Sequence, residues 1–384
     1  SYDDRQRAAL IAEMQSRVVP PLERGFIDLD DNFDPDDPAL DVAACLRLRI
    51  PPRPEDPAAL ALWRQAVTPR LRIVAFGPED VSLRGDIGHG LFSISRAFGD
   101  PTDDGQEAAG AVITGGRRLS NSGNWSGAAI IPRNGERFIQ VLASWSVPKV
   151  QPGEGEGPWV CSTWIGLDGL RRWMGSMPQM GTTQSVGDIG TADPAYFAWY
   201  QWWLRGHGVQ EPVPLPVAVK PGDTVYCVVT RLPRGQPAAG NEHQVQFFLR
   251  VNGVATSPIV RAPPSDAPDA GAASRGGSAQ WILERPTALL DTPNKIVRKG
   301  DLFPLPDFGT AGITDFAATM AHTPDHSGIT NSLTVAAPAL DPARKLHTPR
   351  LLRMVRALSD PPRTKVIAKP HLAPDGGLTV HYRD

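Results

Sequence analysis

The stretch Ala279–Pro286, AQWILERP, sets the fold prediction because it alternates like a short β-strand and ends at a proline. Successive side chains of a strand point to opposite faces, so Trp281 and Leu283 share one face while Glu284 and Gln280 share the other. A proline has no backbone N–H with which to continue a ladder. The stretch therefore predicts a strand that carries a carboxylate near its end, and the role of that carboxylate depends on its surroundings.

Similar segments recur through the second half of the chain, with Gly, Pro and Asn turns between them. They are residues 137–148, 160–169, 195–203, 223–232, 245–253 and 377–384. Short strands at this spacing predict an antiparallel sandwich or barrel, and hence a mainly β protein. Nine of the ten tryptophans lie in this half, so we expect some of them to line a cleft rather than a core.

The first part of the chain has a different texture. Apolar residues at helical spacing predict helices over residues 7–18 and 57–66, separated by acidic and proline-rich runs such as DLDDNFDPDDP. A polar, Gly-rich run over residues 100–124 follows and marks a boundary. We therefore divide the chain into a partly helical region, residues 1–117, and a β domain, residues 118–384.

The net charge of the chain does not point to a nucleic acid or a membrane as partner. The chain has 39 basic and 41 acidic residues, a net charge of −2, which gives no indication of a nucleic-acid partner or a membrane partner. Residues 1–115 hold 20 acidic residues against 12 arginines, whereas residues 116–384 hold 21 acidic against 27 basic residues. No apolar run is long enough to span a bilayer, and the opening SYDDRQRAAL lacks the pattern of a signal peptide.

Three cysteines leave two interpretations open. Cys45, Cys161 and Cys227 have no CxxC spacing, which argues against a zinc site and against a disulfide framework. Free buried thiols are one interpretation, and a single disulfide between Cys161 and Cys227 is the other.

Familiar catalytic motifs are missing from the sequence: there is no HExxH, GxSxG, Walker loop or GxGxxG. His322 and His326 are four residues apart, but Pro324 lies between them and interrupts the helix that would align them, so we interpret both as loop residues. His89 has no evident partner. We expect neither a metal nor another cofactor.

Eight segments in one order resemble the glutamic peptidases, or eqolisins, over about residues 118–384. The segments are NWSGA (124–128), WSVP (145–148), WIGLDG (164–169), PQMGT (178–182), WYQWW (199–203), PGD (221–223), AQWILERP (279–286) and PDFGT (306–310). The resemblance implies a lectin-like jelly-roll sandwich of two large antiparallel sheets, an endopeptidase that acts in acid, and a secreted or periplasmic location. The first ~115 residues have no counterpart in this resemblance.

Carried over by position, the family's catalytic glutamine falls on Gln179 and its catalytic glutamate on Glu284. The residues that we assign to substrate contact are Trp164, Asp168, Trp199, Gln201 and Trp202. A carboxylate can take a proton from water and later protonate the leaving nitrogen, while an amide donates to the developing oxyanion. Relatives have Glu where this chain has Gln201 and often where it has Gln280, so fewer acidic neighbours surround Glu284.

Other functions stay open at this point. An aromatic-rich sandwich with Asp168 and Glu284 as a pair of carboxylates could cleave or bind carbohydrate, and an inactive binding module is a third hypothesis. An amide at position 179 favours the peptidase. We expect polypeptide substrates and a monomer.

Opposite charges suggest a role for the N-terminal region. We expect the acidic region to dock on the catalytic half as an inhibitory prosegment, released when its carboxylates are protonated near pH 4 and cleaved at TGGRRLSNSGN. The alternative is a permanent accessory domain.

Overall fold

The structure is a computed structural model that describes most of the 384 residues. The described residues are 4–83, 92–93, 112–114, 117–132, 137–170, 175–189, 193–204, 210–233, 235, 244–263, 273–321, 349–359, 362–373 and 377–383. Strands account for 45% and helices for 12% of the model, so the prediction of a mainly β protein is confirmed. His89, His322 and His326 lie outside the described residues.

Among the residues that the structure describes, helices occur only in the N-terminal region. They are α1 (Asp4–Arg17), α2 (Val42–Arg47), α3 (Pro57–Ala66) and a 3₁₀ turn (Pro78–Asp80). Asp41 caps α2 by accepting a hydrogen bond from the Ala44 backbone N–H. The predicted helix over residues 57–66 matches α3, and the first predicted helix begins three residues earlier than expected. None of the helices in the described residues has the length and apolarity that a membrane crossing requires.

Strands follow one another through the rest of the described chain. They are β1 (Phe26–Asp28), β2 (Arg72–Val74), β3 (Phe92–Ser93), β4 (Val112–Thr114), β5 (Arg117–Ser122), β6 (Trp125–Ile130), β7 (Arg137–Ser146), β8 (Trp159–Leu167), β9 (Ser176–Val186), β10 (Ala195–Leu204), β11 (Val213–Pro214), β12 (Thr224–Arg231), β13 (Gln244–Val251), β14 (Val254–Thr256), β15 (Ile259–Arg261), β16 (Ala279–Glu284), β17 (Thr287–Ala288), β18 (Thr310–Ala321), β19 (Arg350–Ser359), β20 (Pro362–Leu372) and β21 (Leu378–Tyr382).

The strands form two layers. The first layer runs β11, β10, β9, β8, β16, β6 and β19, and the second runs β21, β18, β7, β12 and β13. Strand β20 pairs with both β19 and β21, so hydrogen bonding continues around one edge from layer to layer. The predicted two sheets are therefore two layers of one 19-stranded sheet, because β19 leaves β6 for β20 part-way along its length.

Tryptophans join the layers through an apolar core. The indole nitrogen of Trp281 on β16 donates to the Leu142 carbonyl on β7 at 2.9 Å, and that of Trp145 on β7 donates to the Thr182 hydroxyl on β9 at 3.2 Å. Trp281 is fully buried in this core. The alternation predicted for Ala279–Pro286 is thus confirmed: Trp281 faces the second layer and Glu284 faces away from it.

Strand β9 carries Gln179. This residue lies inside an eleven-residue strand that is paired on both sides, with β8 and β10. The neighbouring strands satisfy the backbone hydrogen bonds of β9, so the strand forms although polar and apolar residues do not alternate along it. Gly181 lets the strands approach closely, since a Cβ there would lie 2.0 Å from the Thr163 carbonyl oxygen.

The N-terminal region packs on the second layer. Leu62, Trp63 and Val67 of this region form one buried cluster with Val228 and Phe248, whose side chains point away from the first layer. Strand β2 adds to the sheet by pairing in parallel with β14. Residues 4–83 are therefore joined to the sandwich by an apolar interface and by backbone hydrogen bonds.

The three thiols are free and buried. Burial raises the pKa of Cys45 to about 11 and raises the pKa of Cys161 and of Cys227 well above the ordinary value. Cys161 and Cys227 belong to different apolar clusters, so the disulfide interpretation is wrong and the free-thiol interpretation is confirmed.

Candidate active site

The outer face of the first layer carries three rows of side chains that run across the strands. The Glu284 row consists of Trp125, Glu284, Ser162, Thr183 and Phe197. The Trp164 row consists of Gly127, Ile282, Trp164, Gly181 and Trp199. The glutamine row consists of Ala129, Gln280, Gly166, Gln179 and Gln201. Residues opposite each other in antiparallel strands point to the same face, so the register alone gathers these side chains.

Glu284 is fully buried and held by two neutral donors. The Asn124 amide nitrogen donates to Oε1 at 3.1 Å, and the Trp164 indole nitrogen donates to Oε2 at 2.7 Å. Each donor engages a different oxygen, so the carboxylate plane is fixed. A carboxylate in such a place can accept a proton from a water that lies against it.

Trp164 forms the floor between Glu284 and Gln179. It is fully buried, lies on β8 between their strands, and belongs to the row between theirs. Its ring meets that of Trp125 edge to face, with centroids 5.1 Å apart. Gly181 stands opposite Trp164 on β9, where a Cβ would lie 2.7 Å from both the Cα and the Cβ of Trp164.

Gln179 and Glu284 share the face but not the row. Gln179 pairs with Gly166 and Glu284 pairs with Ser162, so their rows are four residues of β8 apart, roughly 13 Å along the strand. Their strands are also separated by β8. The space over Trp164 therefore lies between the two rows.

The glutamine row contains buried amide atoms without partners. Gln201 is 2% exposed, and neither its Oε1 nor its Nε2 has a hydrogen-bond partner among the described residues. The Nε2 of Gln280 donates to the Asp168 carbonyl and to the Ser278 hydroxyl, which leaves its Oε1 unpaired within the same residues. Unpaired buried amides cost stability, which favours a role in binding a polar ligand.

A segment that follows β16 covers this face. Residues 285–305, which we call the cap, place Ala288, Val297 and Phe303 in one apolar cluster with Trp164 and Trp199. The Arg285 guanidinium donates to the Phe303 carbonyl at 2.9 Å, which ties the cap to the end of β16. The cap therefore packs against the tryptophans of the Trp164 row.

Asp168 lies in a different setting from the one expected of a residue in a substrate cleft. Its carboxylate accepts hydrogen bonds from the Ser274 hydroxyl and from the backbone N–H groups of Arg275, Gly276 and Gly277, at 2.6–3.1 Å. Its backbone adopts a φ of 65°, as a turn requires. These four donors engage the carboxylate, so Asp168 holds the loop of residues 274–277, and its contact with a substrate stays a prediction.

Trp202 also differs from its predicted placement. It points between the layers, where it packs edge to face with Phe247 and donates from its indole nitrogen to the Ser176 hydroxyl at 2.8 Å. The reason is strand parity, because Trp202 is one residue from Gln201 and so takes the opposite face of β10. Trp199 and Gln201 lie on the Glu284 face, while Trp202 does not.

Asn124 was not predicted to be a site residue. It donates to Glu284 through its side chain, and its backbone carbonyl accepts from the Arg285 N–H at 2.9 Å. The Ser122 hydroxyl donates to Oδ1 of Asn124, which orients the amide so that its NH2 group faces Glu284. Its position at the head of NWSGA was the available signal.

Fold and site together define a class: a β-sandwich protein with an oriented carboxylate and a row of amides on one outer face. These are groups that can carry out acid–base hydrolysis. Comparison with known families then places the chain. The model of the Peptidase A4 family matches residues 123–338, more than half of the chain, so the chain belongs to the Peptidase A4 family, the eqolisin family. The protein is accordingly a hydrolase, a glutamic endopeptidase.

Solved structures give similarities of the same kind. Scytalido-glutamic peptidase with a peptide-based transition-state analogue is 17% identical, with a TM-score of 0.44, over 68% of this chain and 98% of that chain. SCP-B, an eqolisin in complex with the tripeptide Ala-Ile-His, is 17% identical over the same shares, with a TM-score of 0.42. Aspergilloglutamic peptidase from Aspergillus niger is 18% identical over 59% of this chain and 99% of that chain, with a TM-score of 0.35. The curated proteins contain no match.

Proposed function

We propose that the protein cleaves peptide bonds inside polypeptides with Glu284 as general base and then general acid, and with Gln179 as oxyanion donor. The observation that carries the proposal is the buried Glu284 carboxylate, oriented by Asn124 and Trp164 on the face that also bears Gln179. The proposal also has the support of the family, whose members include peptidases solved with peptide ligands.

The chemistry balances without a covalent intermediate. Glu284 takes a proton from water while the water oxygen bonds to the carbonyl carbon of the substrate, whose oxygen becomes negative. The Gln179 NH2 group donates to that oxygen. The tetrahedral intermediate then collapses: the C–N bond breaks, and the proton on Glu284 moves to the departing nitrogen. Glu284 ends the cycle as a carboxylate.

An acidic working range fits this proposal. A carboxyl group that alternates between charged and protonated forms works best near its own titration range, so we expect an optimum at about pH 3.5–5.5. The excess of basic residues in the β domain opposes a lower optimum, because positive charge accumulates as carboxylates are protonated.

The first prediction concerns Glu284 and Gln179. Glu284→Gln keeps the size of the side chain and removes the proton acceptor, so we expect no hydrolysis of a denatured protein substrate between pH 2 and 7. Gln179→Ala removes one oxyanion donor, and we expect a loss of at least ~100-fold in kcat/KM. Mass spectrometry of the cut bonds and the unfolding midpoint in urea are the two measurements.

Glu156→Gln is the matched control, since Glu156 is exposed. It should cleave at the normal rate. Normal turnover by a folded Glu284→Gln protein would show that another group is the base.

The carbohydrate hypothesis has less structural support. Asp168, its second carboxylate, lies six residues beyond Ser162, the partner of Glu284 on β8, which is roughly 20 Å along the strand. Glycosidases place their two carboxyl groups about 5–9.5 Å apart. Hydrolysis of an oligosaccharide panel by the wild-type protein would restore this hypothesis.

A further inference from the structure

A cavity of about 620 Å³ lies away from Glu284, where the N-terminal region meets the outer face of the second layer. Its walls are largely apolar and include Ile27, Val74 and Phe76. Leu22 also lines it and is 85% exposed at the mouth. The volume and the apolar lining are those of small-molecule and peptide side-chain sites.

Gln246 supplies a buried acceptor at this cavity. The residue is 1% exposed, and its Nε2 donates to the Ile50 carbonyl at 3.2 Å and to the Ser257 hydroxyl at 2.8 Å. Those two bonds fix the orientation of the amide. Its Oε1 is buried and has no partner among the described residues. An acceptor held in this way is complementary to an N–H or O–H group of a ligand.

Arg47 supplies a positive charge at the same cavity. It lies exposed at the last residue of α2, and none of the described residues forms an ion pair or hydrogen bond with its guanidinium. Arg49, which also lines the cavity, instead donates to the Glu23 and Gly25 carbonyls. Arg261 and Glu23 complete the charged lining, so the cavity has a net positive charge.

We propose that this cavity binds the C-terminal residue of a peptide that ends in an apolar side chain. The terminal carboxylate pairs with Arg47, the backbone N–H of the last residue donates to Oε1 of Gln246, and the side chain packs against Ile27 and Phe76. A fatty acid offers the carboxylate and the apolar chain but no N–H, and a sugar offers donors but no apolar side chain. The site goes beyond the proposed catalysis and does not depend on it.

The test uses three small probes on the full chain in isothermal titration calorimetry. N-acetyl-leucine has all three features, N-acetyl-leucinamide lacks the carboxylate, and 4-methylpentanoate lacks the N–H. We expect N-acetyl-leucine to bind with a Kd on the order of 1 mM, as befits a ligand of its size. Each of the other two should bind at least ~10-fold more weakly.

Variants locate the site. Arg47→Ala should weaken N-acetyl-leucine about 10-fold, and Ala43→Trp, which fills the cavity from α2, should abolish binding. Arg363→Ala removes an exposed arginine elsewhere and should leave the Kd unchanged. Glu284→Gln should also bind normally, which separates this site from the catalytic proposal.

Four outcomes would overturn the proposal. Equal binding of 4-methylpentanoate would make the ligand an acyl carboxylate rather than a peptide end. Unchanged binding by both Arg47→Ala and Ala43→Trp, or a loss of binding in Glu284→Gln, would place the ligand elsewhere. If N-acetyl-leucine gives no heat of binding at a concentration about ten times the expected Kd, the cavity does not bind this class of ligand.

Discussion

Trp164 and Trp202 show how one residue of strand parity separates a site residue from a core residue. Both are buried, and each donates from its indole nitrogen, Trp164 to Glu284 and Trp202 to the Ser176 hydroxyl. Only the first of these bonds reaches a group that we propose to be catalytic. The two residues therefore form a natural pair for mutation.

The second prediction uses this pair. Trp164→Phe removes a hydrogen bond to a carboxylate, worth about 1.5–3 kcal/mol, so we expect kcat/KM to fall roughly 10- to 100-fold. Trp202→Phe loses a comparable donor on the opposite face and should keep kcat/KM within about 3-fold of the wild type. Peptide hydrolysis and urea unfolding, measured side by side, check both variants. If Trp164→Phe and Trp202→Phe lose kcat/KM equally, the hydrogen bond from Trp164 to Glu284 has no special role in activity.

Gln201 and Gln280 give the site a neutral row, because both side chains are amides. Neutral amides add no negative charge near Glu284. Their unpaired oxygen atoms, and the unpaired NH2 group of Gln201, suit the alternating N–H and C=O groups of an extended peptide. The contact of Gln201 with a substrate stays a prediction. Such a contact would give hydrogen-bond partners to the buried amide oxygen and nitrogen of Gln201.

At the scale of elements, a clamp joins β8 to the loop that precedes β16. The Asp168 carboxylate holds residues 274–277, and the Arg231 guanidinium donates to the Ser274 and Phe138 carbonyls at 3.0 Å. Burial lowers the pKa of Arg231 to about 10, and the charge of Asp168 opposes that shift. The clamp fixes where β16 begins, and with it the register that positions Glu284.

The third prediction follows from the clamp. Asp168→Ala removes four hydrogen bonds and leaves the buried Arg231 without its counter-charge, so we expect the free energy of unfolding to fall by about 3–5 kcal/mol. Urea denaturation followed by tryptophan fluorescence measures the loss. Asp31→Ala is the control, because it breaks an exposed ion pair with Arg70 and should cost less than about 1 kcal/mol. A loss below about 1 kcal/mol in Asp168→Ala would contradict the clamp.

At the scale of the whole molecule, the largest apolar contact of the N-terminal region lies on the side opposite Glu284. Residues 27–73 pack against the outer face of the second layer, whereas Glu284 lies on the outer face of the first. Arg17, Val18 and Phe76 pack instead against the core between the layers, beside Tyr200 and Trp202. Acidic residues of the N-terminal region also pair locally, as Asp28 does with Arg72 and Asp36 with Arg64. The expected prosegment and its alternative, a permanent accessory region, both stay predictions. Most of residues 84–116 lie outside the described ranges.

The fourth prediction tests this arrangement. The run TGGRRLSNSGN, expected to be the cleavage site, contains strand β5 and the buried Asn124, so the cut is better made before it. Limited proteolysis within residues 100–111 should give an N-terminal fragment that co-elutes with the β domain in size-exclusion chromatography at pH 7 and at pH 4. The reason is that the interface around Trp63 and Phe248 is apolar and does not titrate in this range. Activity of the nicked protein, compared with that of the uncut chain, is the second measurement.

Release of the fragment at pH 4, together with a rise in activity, would instead support an acid-released prosegment. Trp63→Ala gives a positive control for dissociation, since it removes a fully buried side chain from the interface. It should weaken retention of the fragment at both pH values.

The sequence alone determined the class of fold and the strand that carries Glu284. The alternation in AQWILERP predicted which side chains lie on each face of β16, and the predicted strands 137–148 and 195–203 correspond to β7 and β10. These strands could be predicted because the period-two pattern of a strand is local and does not depend on its partner strand. The helix over residues 57–66 could also be predicted, because the helical spacing of its apolar residues is equally local. The order of eight segments then indicated the family.

Only the tertiary structure decided which side chains meet. Strand β9 lacks a clear alternation and is a strand because β8 and β10 flank it, and Asn124 reaches Glu284 across 160 residues of sequence. The placement of Trp202 between the layers and the capture of Asp168 by a loop likewise depend on strands and loops that are distant in the chain. Register and layer packing set these contacts, and both arise from hydrogen bonds and apolar burial between segments that no local pattern connects.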